Sequence, residues 1–74
     1  MSQERRSTYQ VTNRDGSTSH NTRVVTELDS GRTYQDDYDA SGKQVSSITI
    51  SEDGKIYENW SGSHDPREYV GDSD

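Results

Sequence analysis

A chain of 74 residues with 14 acids against 8 Lys and Arg carries a formal charge of −6, and only 23% of it is apolar. Typical soluble domains are roughly 45–50% apolar with glycine counted, so this length supports one small domain with a thin core. The charge disfavours direct binding to a phosphate backbone. No apolar run approaches the ~20 residues of a membrane span, and no signal-peptide core follows Met1, so the expectation is a soluble, cytoplasmic protein. Without Cys no disulfide can staple so small a core. Self-association, as a homodimer, or a protein partner is the expected remedy.

Residues 1–6 are polar and charged and read as a flexible arm. Ser7 to Arg14 alternates Tyr9 and Val11 with polar residues, the period of a first strand. Asp15-Gly16 is the strongest short hairpin signal in the chain. Closed as a two-residue loop, it pairs Val11 with His20 and Tyr9 with Thr22, and it puts His20 on the inward side. A long second strand runs from Ser17 to Leu28 with Val24, Thr26 and Leu28 inward, long enough to hold a bulge. Asp29-Ser30-Gly31 then turns the chain ahead of Arg32.

Thr33 to Trp60 reads as three strands joined by two like turns, Ala40-Ser41-Gly42-Lys43 and Glu52-Asp53-Gly54-Lys55. Register decides which side chains share a face, because a slip of one residue turns a whole strand over. A three-residue loop at Glu52 to Gly54 sets Ile50 opposite Ile56. The same geometry at Ala40 to Gly42 sets Tyr34 opposite Ile48. Tyr34, Tyr38, Ile48, Ile50, Ile56 and Trp60 then form a dry face, and Thr33, Gln35, Asp37, Ser47, Thr49 and Asn59 a wet one. The expected fold is therefore an all-β, five-stranded antiparallel up-and-down meander over residues 7–61, left open or curled into a small, partly open barrel. Residues 62–74 hold a loop, one helical turn and an acidic tail. Asp65-Pro66-Arg67-Glu68 has the form of a helix start, and Gly71 ends the turn.

Little in the chain points to chemistry. Asp37, Asp39, Ser41 and Gly42 match the opening of a calcium loop, but Ile48 stands where the bidentate Glu belongs, so calcium is a minor alternative. His20 and His64 have no His or Cys neighbour at metal-ligand spacing, and no phosphate loop is present. No cofactor and no catalytic residue is expected. Asn59-Trp60-Ser61 is formally a glycosylation sequon within a strand.

Tyr38-Asp39-Ala40-Ser41-Gly42-Lys43 resembles the core of a YD (RHS-type) repeat, a Tyr-Asp pair followed by Gly and a basic residue. Such repeats build β-shells around a cargo. The resemblance covers one unit, departs at Glu58-Asn59, and carries no function over. In size and charge the chain is also similar to small phage-borne inhibitors of nucleic-acid enzymes, the anti-CRISPR type. The leading expectation is a non-enzymatic acidic module that caps a basic, for example nucleic-acid-binding, surface of another protein. Its candidate partner-binding residues are Tyr34, Asp36, Asp37, Tyr38, Asp39, Glu52, Asp53, Tyr57, Glu58 and Trp60, with the aromatic groups as anchors. The second expectation is a structural or assembly β-unit that self-associates through its dry face.

Overall fold

The computed structural model describes residues 2–73, which are all β. One antiparallel sheet holds six strands in meander order: β1 (Gln3–Thr12), β2 (Thr18–Glu27), β3 (Thr33–Tyr38), β4 (Gln44–Ile50), β5 (Lys55–Asn59) and β6 (Pro66–Asp72). The sheet is open, with β1 and β6 at its edges. No helix among these residues is long and apolar enough to cross a membrane.

Four of the five connections are built alike. In Asn13–Ser17, Leu28–Arg32, Asp39–Lys43 and Ser51–Lys55 the first N–H donates to the last carbonyl at 2.8–2.9 Å, and the Gly in fourth place donates back to the first carbonyl at 3.0 Å. Each is a three-residue loop whose Gly takes positive φ, 90° at Gly42 and 88° at Gly54. The expected two-residue loop at Asp15-Gly16 is therefore corrected. A type I′ loop needs positive φ at both central residues, and among the described residues only Gly has it. Tyr9 consequently pairs with Asn21 and Val11 with Ser19, while His20 lies opposite Gln10 and is exposed.

Beyond the β1–β2 hairpin, the sequence register holds at three places and fails at one. Ile50 pairs with Ile56, and Val24 and Thr26 lie on the face of Tyr34, paired with Asp36 and Tyr34. At the β3–β4 turn Tyr38 pairs with Gln44 as the loop dictates, but Asp37 pairs with Ser46. Val45 is an extra, unpaired residue, a bulge. Beyond it Tyr34 faces Thr49, and Ile48 faces Gln35. The isoleucines Ile48, Ile50 and Ile56 thus share one face with Gln35 and Asp37, and Tyr34, Tyr38 and Tyr57 lie on the other. The single dry face expected from the sequence does not form.

Relative to Tyr34 the dry and wet assignment reverses for β4 and β5. The face of Tyr34 is the more buried, and it buries polar groups: Asp36, Ser47, Asn59 and Thr49, the last only 1% exposed. We call this the inner face. Val24, at 7%, is the one buried apolar side chain among the described residues.

Both ends of the chain add to the sheet. Gln3 to Arg6, expected in the flexible arm, pair with Glu27 to Val24. The helical turn expected near Asp65 is instead β6, so the meander has six strands rather than five. Pro66 opens an edge strand, a position where its missing N–H is tolerated. Tyr69 pairs with Tyr57, and their rings lie 5.7 Å apart. The local capping signal had no access to that contact.

The principal dimensions are 40 × 26 × 24 Å. A flat sheet is about 10 Å thick, so this one is strongly coiled. It is also expanded. The radius of gyration is 13.4 Å, against about 11 Å for a compact domain of this length. The accessible surface is 5292 Å², against roughly 4,600 Å² for a compact monomer of this mass.

Candidate interaction surface

Hydroxyl, amide and carboxylate groups on the inner face are joined into one chain of hydrogen bonds. Thr49 Oγ1 donates to Asn59 Oδ1 at 2.7 Å, Asn59 Nδ2 to Ser47 Oγ at 3.0 Å, and Ser47 Oγ to Asp36 Oδ1 at 2.6 Å. Gln44 Nε2 donates to the same carboxylate oxygen at 3.2 Å, and His64 Nε2 lies 2.9 Å from Asp36 Oδ2. The imidazole also stacks on the Tyr34 ring, with centroids 3.9 Å apart and planes within 8°. The loop after β5 therefore folds over the inner face and is held there by a carboxylate and a ring. No buried side-chain N or O among the described residues lacks a hydrogen-bond partner, which is why a polar interior is tolerated here.

The outer face has its own polar cluster across three strands. Asp37 takes a forked contact from Arg23, Nε to Oδ1 at 3.0 Å and Nη2 to Oδ2 at 3.1 Å, and accepts Tyr9 Oη at 3.0 Å. The guanidinium also lies over the Tyr9 ring, 5.2 Å from its centroid. The Arg23 hydrogen bonds hold the Asp37 carboxyl below the usual range, burial opposes them, and the Tyr9 hydroxyl assists. The corrected loop at Gly16 is what brings Tyr9 to this cluster.

These contacts redistribute the candidate binding residues. Asp36 and Asp37 are buried in the two clusters and offer a partner almost no contact surface. Asp39 accepts Ser41 Oγ at 2.6 Å and the Lys43 N–H at 2.9 Å. Asp53 accepts from the Ser51 hydroxyl and the Lys55 N–H. Both belong to their own turns, and those bonds, the hydroxyl first, lower both carboxyl pKa values. The carboxylates of the minor calcium-loop alternative are engaged by the protein itself, Asp37 by Arg23 and Asp39 within its turn. Tyr34 lies under His64, Tyr38 is half-buried, and Tyr57 packs on Tyr69. Glu52 pairs with Arg32 at 3.2 Å and Glu58 with Arg67, and both glutamate side chains are half exposed.

Trp60 stands apart from the rest. It is 57% exposed, and the Arg67 guanidinium sits 5.6 Å from its ring centroid. The paired residues of β4 and β5 end at Ile48 and Glu58, and beyond that point a groove of about 470 Å³ opens between the strands. Val45, Ser47, Ile48, Asn59, Trp60 and Arg67 line it. Val45, put out of the ladder by the bulge, is 53% exposed. Sequence reasoning named Trp60 but missed Val45 and Arg67. Val45 read as an apolar group on the wet face, and Arg67 was assigned to a helix.

Comparison with family models, curated proteins and solved structures finds no match to this chain.

Proposed function

We propose that the chain is a non-enzymatic, acidic protein-binding module that caps a basic surface of a partner, with the Trp60 groove as its anchor. One observation carries the reading: six strands bury a single apolar side chain, Val24, and leave Trp60 and Val45 in water around one groove. The exposed area exceeds that of a compact monomer by roughly 700 Å², near the ~800 Å² that one partner gives to a standard interface. The charge of −6 favours a basic partner, and the rim acids Glu58 and Glu68 would meet it. An aromatic group beside an Arg is the composition in which interface energy concentrates.

A binder fits the polar clusters better than an enzyme does. His64 and Asp36 have the form of a base with its orienting carboxylate. Ser47 nevertheless donates its hydroxyl hydrogen bond to Asp36 rather than to the imidazole.

The test is capture from source cells, followed by reconstitution with the purified partner. A 1:1 complex that weakens with salt and loses at least tenfold in affinity on Trp60→Ala is expected. Glu58→Gln with Glu68→Gln should slow association. A complex indifferent to Trp60 and to salt would remove this reading.

A further inference from the structure

The two edges of the open sheet differ in one respect that matters for association. β6 starts at Pro66, has two breaks in its pairing with β5 and contains Gly71 at φ 145°. Breaks, Pro and Gly of this kind blunt an edge. β1 has none of them. It pairs with β2 in unbroken register over ten residues, contains neither Pro nor Gly, and runs Ser7 to Thr12 without a charge.

The hydrogen bond from Asn13 N–H to the Ser17 carbonyl fixes the alternation along β1. Asn13, Val11, Tyr9, Ser7, Arg5 and Gln3 direct their backbone groups to β2. Glu4, Arg6, Thr8, Gln10 and Thr12 direct theirs away from the sheet. A long, straight row of open donors and acceptors is a template for another strand.

We propose that β1 is the interface of a twofold dimer, pairing antiparallel with β1 of a second copy about Thr8. Only outward residues can form the bonded rungs, so the sum of the paired residue numbers must be even. Of these registers, the one centred on Thr8 uses all five outward residues: Thr8 meets Thr8, Arg6 meets Gln10, and Glu4 meets Thr12. The intervening pairs are Arg5 with Val11 and Ser7 with Tyr9. No like charges face each other, and opposed Thr pairs are favourable. Charge distribution singles out the same edge. β1 carries Arg5 and Arg6 against Glu4 alone, a net +1 within a chain of −6. Pairing there keeps the acids of the two copies apart. Because the opposite edge is blunted, the contact closes as a dimer and does not run on as a filament.

The test uses the whole chain in sedimentation equilibrium at micromolar concentration. Twice the 8.4 kDa chain mass is expected, and added salt should strengthen the dimer by screening two like-charged copies. That response is opposite to the one expected of the acidic module with its basic partner, so the two ideas fail separately. Thr8→Pro removes an outward N–H that β2 does not use, so it should give a monomer with an unchanged strand spectrum. Thr8→Cys supplies a second readout in a protein free of Cys. Cα atoms across a bonded pair are about 5.5 Å apart, within reach of a disulfide, so mild oxidation should link the copies. Gln10→Cys, roughly 14 Å from its symmetry mate in this register, should stay unlinked. A monomeric wild type, a dimer unmoved by Thr8→Pro that retains its fold, or linkage at Gln10 in preference to Thr8 would overturn the proposal.

Discussion

Gly54 and Gly42 make the same turn, yet substitution should separate them. Both have positive φ, a conformation that costs an L side chain about 1–2 kcal/mol. A Cβ at Gly42 would meet nothing within 4 Å, whereas one at Gly54 would come 3.1 Å from Ser73 Oγ. Gly42→Ala should therefore cost about 1 kcal/mol, and Gly54→Ala that much or more. Denaturant titration of the pair gives the order. Asp37 provides the acid-stability prediction. Its carboxyl pKa is lowered in the fold, so it binds its proton less readily folded than unfolded. Its contribution is complete above the unfolded value of about 3.9 and is lost as pH falls below that towards the lower folded value. Asp37→Asn should remove this acid-limb dependence and destabilise by about 1–3 kcal/mol at neutral pH.

At the scale of the strand, the bulge at Val45 decides which groups β4 sends inward. Gln44 already faces inward and Ser46 outward, as neighbours on an unbulged strand do. Deleting Val45 should therefore leave Tyr34 opposite Thr49, and the loss of stability should stay under about 2 kcal/mol. A variant that unfolds, or that exposes Thr49 to amide exchange, would contradict the assigned pairing. Asn59→Ala cuts the inner-face chain at its middle. It leaves Thr49 and Ser47 without their amide partner, so a loss of about 1–3 kcal/mol is expected in chemical denaturation.

For the whole molecule the governing fact is a coiled sheet with almost no apolar core. Inner-face hydrogen bonds and cross-strand pairs hold it together. The surface that a compact protein would bury stays available, both at the Trp60 groove and along β1. Trp60→Ala should change unfolding by no more than about 0.5 kcal/mol, as exposed substitutions usually do, while it weakens a partner complex at least tenfold. A large loss of stability would mean that Trp60 belongs to the fold and leave the groove without its anchor.

The β class, the meander order and the Gly turns were legible in the sequence because they are local: strand period, turn residues and loop length act within a dozen positions. Ile50 opposite Ile56 followed from the three-residue loop that gathers the apolar groups, and Val24 on the face of Tyr34 from repeating that loop at Gly31. The sharing of faces by β3 and β4 did not, since a single extra residue, Val45, turned the following residues over and nothing in its neighbourhood marks a bulge. The fates of Asp36, Asp37 and His64 were likewise hidden. Acids and a histidine left in water differ from these only in what lies across the sheet, and those partners come from 8 to 28 residues away. The same is true of β6, where the capping signal of Asp65 to Glu68 gave way to a sheet edge and the ring of Tyr57. Local chemistry thus determined the elements and their order. Only the tertiary structure decided which polar groups could be buried, because burial requires partners that meet when the strands align.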